Sequence, residues 1–233
     1  MGHLPIVLSV QIGSKLHGFA TEESDDDVVT VYTDPLRKVL SLNGDAPKGK
    51  QSHGDDDAIR YELRHFSRLL LKGNPTVYEV VFSNLIYDRS WAGNEIQHNI
   101  DLFLDDVAIY HATRGYVYST MKEANTSTFS AVRRGKKALA SLRVLRQGEQ
   151  MLKEGRFEPY NPRIHRDYAL RLKAGDERTI DMAKVEVERM LERFDAQFEQ
   201  MKSYRQPNTA EINQLLYDVY MDPNVRDGEN DVL

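Results

Sequence analysis

The chain has 233 residues, enough for one large domain or two small ones, and its 40% hydrophobic and 29% charged residues suit a folded protein rather than a disordered one. It carries no cysteine, which excludes disulfides and thiolate metal sites, so any metal must be held by Asp, Glu, His or backbone oxygen, and a site of carboxylates only favours hard ions such as Mg²⁺. The net charge of −5 is unevenly spread: residues 133–173 hold twelve basic and four acidic side chains, a surplus of eight, which suggests a basic surface for phosphates beside an acidic remainder.

The N-terminus has no basic start and no small-residue cleavage site, and its longest apolar run, Pro5 to Val10, is too short to span a bilayer. The protein is therefore expected to be intracellular and cytoplasmic, with no membrane partner. Ile6 to Ile12 reads as a buried strand ended by Gly13. Residues 13–23 read as a loop, or a loop with a short helix. Val28 to Tyr32 is a second strand, closed by Asp34-Pro35. Residues 43–57, rich in Gly, Asp, Lys and Ser, read as a mobile surface connection, long for a compact domain. Ala58 to Leu63 fits a third strand. Phe66, Leu69 and Leu70 then suggest a helix stopped by Gly73-Asn74-Pro75. Asn74-Pro75 marks the start of the next helix, with Glu79 as a packing feature.

The remainder reads as helical. Helices are expected over Asp105 to Met121, over Lys136 to Glu154 with Gly155 as its stop, over the apolar series from Ile180 to Met201, and over Glu211 to Tyr220. Glu158 to Arg163 contains two prolines and is a connector. The organisation expected is an α/β unit over residues 1–90, a helical unit over 91–221 and a polar tail over 222–233.

Chemistry concentrates in Ser24-Asp25-Asp26-Asp27. In an extended chain alternate side chains share a face, so Asp25 and Asp27 would stand together and Asp26 would point away. Two such carboxylates repel each other unless a cation sits between them, and one or two Mg²⁺ ions would resolve the conflict. Upstream, Gly13-Ser14 follows a strand, where a glycine lets backbone N–H groups approach phosphate oxygens, and Gly18 adds a second flexible point. His17 lies close enough to contact substrate there. A phosphate cradle followed by a metal site is the minimal equipment for nucleotidyl transfer.

The order Gly13-Ser14-Lys15-Leu16-His17-Gly18, then Ser24-Asp25-Asp26-Asp27, resembles the signature of the DNA polymerase β-like nucleotidyltransferase superfamily. More narrowly the chain resembles predicted bacterial and phage nucleotidyltransferases linked to RNA repair pathways. That likeness rests on Tyr61 to Phe66, Leu69 to Glu79, Lys136-Lys137 and Leu142 to Glu149. The resemblance implies an α+β fold: an N-terminal mixed sheet flanked by helices, then a mostly helical C-terminal domain. It implies that Gly13, Ser14, Lys15, Gly18 and Ser24 bind the triphosphate of an NTP. Asp25 and Asp27 would hold Mg²⁺ or Mn²⁺, with a third carboxylate from a neighbouring strand, Asp57 or alternatively Glu62. Arg133, Arg134, Lys136, Lys137, Arg143 and Arg146 are the candidate acceptor-binding group. The expected activity moves a nucleoside monophosphate from an NTP to an acceptor hydroxyl, an RNA end being the favoured acceptor. The alternatives are a non-catalytic nucleic-acid or partner-binding module with a vestigial site, and a toxin–antitoxin type enzyme that modifies its partner protein.

Overall fold

The computed structural model describes residues 5–22, 24–41, 51–53, 56–159 and 165–223. In chain order the elements are β1 (Ile6–Gln11), a single turn α1 (Gly13–Leu16), β2 (Val28–Tyr32), α2 (Leu36–Val39), β3 (Gln51–His53), β4 (Asp56–Glu62), α3 (Leu63–Leu71), α4 (Pro75–Phe82), β5 (Ile86–Arg89) and α5 (Trp91–His98). A 3₁₀ turn over Ile100–Phe103 leads into α6 (Asp106–Ala124), α7 (Ala131–Glu154), α8 (Arg166–Ala174), α9 (Glu177–Glu199) and α10 (Thr209–Met221).

The five strands form one mixed sheet in the order β3-β4-β2-β1-β5. β1 is antiparallel to β2 and to β5, β2 runs parallel to β4, and β3 is antiparallel to β4. Within β1, Val7 through Gln11 are all buried, as expected for a strand covered on both faces. The sheet and the helices share one apolar core, running from Val7 and Val29 through Phe66 and Tyr78 to Leu142, Phe194 and Tyr220. The fold is thus α+β, a mixed sheet with helices around it followed by a mostly helical part. Among the described residues no helix is long and apolar enough to cross a membrane.

Local chemistry sets the helix ends. Glu62 caps α3 by accepting from the N–H groups of Arg64 (3.0 Å) and His65 (3.2 Å). Asn74 caps α4 by accepting from Thr76 (3.0 Å) and Val77 (3.3 Å), and Pro75 fills the first helical position. Ser130 caps α7 by accepting from Arg133 N–H at 3.3 Å, five residues or more before the helix start that the apolar spacing suggests. The basic run between Arg133 and Lys137 hides that start, because it carries no apolar stripe.

Residues 43–57 are not one connection. They contain β3 and the first two residues of β4, and residues 43–50, 54 and 55 lie outside the described residues. A parallel β2–β4 pair needs a long crossover between its strands, which accounts for the length of this stretch. The third strand begins at Asp56, two residues before the expected start, and Leu63 already belongs to α3. The connector over 158–163 is described only through Pro159, and the tail only through residue 223.

Candidate active site

β1 and β2 converge on the first half of the site. Ile12 N–H donates to the Asp27 carbonyl at 2.9 Å, continuing the β1–β2 ladder past the ends of both strands. The Gln11 amide braces the same corner by donating to the carbonyls of Ile12 (3.0 Å) and Asp27 (3.2 Å), while the Tyr87 hydroxyl donates to Gln11 Oε1 at 3.0 Å. Gly13 then turns with φ +70°, and a Cβ on it would lie 2.0 Å from Asp27 Oδ2 and 3.1 Å from Asp27 Cβ. The missing side chain of Gly13 is therefore the space in which the Asp27 carboxylate lies.

Asp25 to Asp27 are not in a strand, so the alternation argument does not apply to them. Val28 N–H returns to the Asp26 carbonyl at 3.1 Å, a tight turn centred on Asp27. Cations sort the three carboxylates instead. Lys15 pairs with the exposed Asp26 at the surface. That contact is the main reason the Lys15 ammonium is held above its ordinary value. Lys173, from α8, donates to the Phe19 carbonyl (3.1 Å) and to Ser24 Oγ (3.2 Å). Burial pulls the Lys173 ammonium below its ordinary value, helped by Lys136 and Arg166, while Asp27 and Asp25 pull it back. Asp26 thus pairs with a cation at the surface, while Lys173 binds Ser24, next in sequence to Asp25.

Lys173 and Arg166 were not among the residues singled out in the sequence. Arg166 donates to the Ala20 carbonyl at 3.1 Å, so α8 holds the 19–24 loop at two points. Ser24 Oγ in turn accepts from Thr21 N–H at 2.9 Å. Ser14 and Gly18 frame the turn: Ser14 gives its carbonyl to Phe19 N–H at 2.8 Å, and Gly18 has φ +75°.

The third carboxylate divides in two ways. The β2–β4 register begins at Val29 beside Ile59, and residue 57 lies on β4 two residues before that pair. The Asp57 side chain lies outside what the structure describes. Glu62, the alternative, is fully buried: it caps α3, receives the Tyr220 hydroxyl and stands 3.7 Å from Arg64 Nε. Both of its oxygens are engaged within the fold. No group of three metal-ligating side chains is seen among the described residues.

The proposed acceptor-binding residues are mostly engaged inside the protein. Arg133 and Lys137 both pair with Glu123, at 2.8 and 3.0 Å. Arg134 pairs with Glu177, Arg143 with Glu79 at 3.1 Å, and Arg146 with Glu186 at 3.0 Å. Lys136 is exposed, and its charge is felt by Lys173. The six residues therefore do not form one free basic face.

His17 is buried rather than presented to solvent. Its Nδ1 stands 2.6 Å from the Pro159 carbonyl, so Nδ1 carries the proton. Its Nε2 lies 3.4 Å from Glu79 Oε1. Burial and the Arg143 guanidinium hold the imidazole below its ordinary value, in spite of Glu79. Burial alone would raise Glu79, but Arg143, His17 and the Gln147 amide (2.9 Å) bring its carboxyl down to about 2. This network ties the loop after α1 to α4 and α7.

Gly13→Ala is expected to disturb the corner directly. An alanine at φ +70° costs about 1–2 kcal/mol, and its methyl would displace the Asp27 carboxylate. Chemical denaturation should read that loss. A Gly13→Ala protein as stable as the wild type would contradict this packing.

No solved structure matches the chain. The chain is similar to the uncharacterized protein YcgL of Bacillus subtilis (strain 168), with 24% identity over 234 residues that cover 91% of this chain and 88% of that protein. A family model described as the RNA repair pathway DNA polymerase beta family matches residues 2–218. With that match covering nearly the whole chain, from before β1 to the last turns of α10, the protein belongs to the RNA repair pathway DNA polymerase beta family.

Proposed function

We propose that the protein is a metal-dependent nucleotidyltransferase that moves a nucleoside monophosphate from an NTP to an acceptor hydroxyl and releases pyrophosphate. The observation that carries this reading is the corner where Asp27 lies across Gly13 and Lys173 binds the Phe19 carbonyl and Ser24, next in sequence to Asp25. The donors are all hard oxygens, which suits Mg²⁺ or Mn²⁺. Asp25 and Asp27 would hold the ion, with Asp57 as the third ligand. When bound, a divalent ion neutralises charge on the triphosphate and on the attacking oxygen.

The chain's own residues supply positioning. Lys173, Arg166 and Lys136 gather positive charge beside the acidic corner, where a triphosphate would need it. The turn from Gly13 to Gly18 would present backbone and the Ser14 hydroxyl to the same phosphates, with Lys15 and Ser24 at its rim. Incubation with labelled NTPs, Mg²⁺ and candidate acceptors tests the reading: pyrophosphate should appear only with the ion present, and its release at full rate in EDTA would refute it.

RNA is the proposed acceptor, engaged through Lys136 and the α8 cations more than through the paired arginines. Replacing Lys136 and Lys173 together with Ala should flatten the salt dependence of single-stranded RNA binding by about 1.4 in log–log slope, while Arg133→Ala leaves it unchanged. Binding titrations across a salt series measure both slopes. An unchanged slope in the double variant would favour a protein or small-molecule acceptor.

A further inference from the structure

A cleft beside the acidic corner collects buried polar atoms that carry no hydrogen bond. It is lined by His17, Phe19, Arg143, Arg146, Gln147, Gln150, Glu158 and Pro159. Four of its atoms are buried and carry no hydrogen bond: Arg143 Nε, Arg146 Nη1, Gln147 Oε1 and Gln150 Oε1. The His17 and Gln147 side chains are themselves almost completely buried. The enclosed part is about 10 Å³, room for one water, and the free space reaches about 260 Å³ only when the open mouth is included. A buried water typically makes about three hydrogen bonds, fewer than the four groups that converge here.

Charge decides what the cleft suits. Arg143 is matched by Glu79 and Arg146 by Glu186, and Glu158 adds a negative charge at the wall. The cleft has no net positive charge to offer a phosphate. It offers hydrogen bonds of fixed direction. His17 is committed at both ring nitrogens, Nδ1–H to the Pro159 carbonyl and Nε2 against Glu79 at 3.4 Å, so it closes the wall of the cleft. Gln147 Nε2 donates to Glu79, so Oε1 is an acceptor that cannot flip. Arg143 Nε and Arg146 Nη1 can only donate.

We infer that this cleft reads the edge of the incoming nucleotide's base, and that it selects an amino group beside an unprotonated ring nitrogen, as in cytosine or adenine; the inference rests on the nucleotidyltransferase reading above. The amino N–H groups would meet Gln147 Oε1 and Gln150 Oε1, and the ring nitrogen would accept from an arginine. Uracil and hypoxanthine present a carbonyl and a ring N–H in the same places, setting oxygen against acceptor and N–H against donor. Phe19 links this cleft to the chemistry: its ring lines the cleft and its carbonyl receives Lys173, which also binds Ser24, next in sequence to Asp25. Only an edge enters, and the rest of the base stays at the mouth.

Calorimetric titration of the full chain in Mg²⁺, without acceptor, compares CTP with UTP and ATP with ITP. Each pair swaps the amino group and bare nitrogen for a carbonyl and N–H. CTP and ATP are expected to bind at least about tenfold more tightly than their partners, and Gln147→Leu and Gln150→Leu should each reduce that preference. Gln150 is partly exposed, so its variant decides the matter if Gln147→Leu fails to fold. Four nucleotides binding alike, or a preference that survives the variants that fold, would overturn the base cleft and leave the transfer reading standing. Failure of every nucleotide to bind would overturn both.

Discussion

Asp27→Asn is expected to lower nucleotidyl transfer by about 10³-fold while the chain keeps its fold. Metal stabilisation of a phosphoryl-transfer transition state contributes several kcal/mol, and about 4 kcal/mol corresponds to three powers of ten. Asn keeps the shape that fits against Gly13, so the corner stays packed while its charge is lost. Asp25→Asn should have a similar effect, because Asp25 and Asp27 act on the same lysine. Asp26→Asn should change turnover little, since Asp26 pairs with Lys15 at the surface, where solvent screens the pair. From the sequence, the shared face of Asp25 and Asp27 suggests that removing either charge raises the melting temperature without metal. Lys15 and Lys173 already stand among them, so the melting temperature should hardly move. Steady-state kinetics of the three variants beside thermal melts separates these outcomes. Wild-type turnover in Asp27→Asn would remove Asp27 from the metal site.

The second large effect is on stability. Glu79→Ala should destabilise the protein by about 3–5 kcal/mol, because it leaves the Arg143 charge unpaired against a buried site. The pair also makes the fold acid-sensitive. Glu79 drops from its ordinary 4.5 to about 2 on folding, so it contributes about 3 kcal/mol that is fully present above pH 4.5 and is lost as the pH falls toward 2. His17 acts in the same direction. Its folded value is lowered from 6.5, so stability is present above pH 6.5 and declines as acid forces a proton onto the buried ring. Urea melts from pH 7.5 to pH 3 should show the loss beginning near pH 6.5 and steepening below 4.5. In Glu79→Gln the steep part should vanish. A wild-type curve flat to pH 3 would contradict the buried network.

Much of this architecture was legible in the sequence, and the gaps have physical causes. β1 and β2 were legible because β-branched runs end at Gly13 and Asp34-Pro35. β5 was not, because it is an edge strand whose four residues are all exposed, so no alternation marks it. α4 is buried on most sides, which leaves a nearly continuous apolar run instead of a helical stripe. Within that run Glu79 reads as a packing residue. The structure gives it a more specific role, as the anion that holds His17, Arg143 and Gln147 together.

The acidic corner was legible as a motif, yet its geometry was not. A strand-like alternation does not describe Asp25 to Asp27, whose arrangement follows from a turn and two lysines. Lys173 lies 149 residues from Ser24 in sequence, and no local pattern connects them. The basic run from Arg133 to Arg146 is plain in the sequence, but its glutamate partners come from α4, α6 and α9, so its pairing was hidden.

The most direct test of the central claim follows two labels on one nucleotide. The full chain is incubated with CTP or ATP labelled at the α- or the γ-phosphate, with Mg²⁺ and a pool of short RNAs, a cell-extract protein fraction and a small alcohol as acceptors. The account predicts that the α label moves to an acceptor while the γ label leaves as pyrophosphate, and that both events stop in EDTA and in Asp27→Asn. Transfer of the γ label to an acceptor, or α-label transfer that persists in EDTA or in Asp27→Asn, would contradict it.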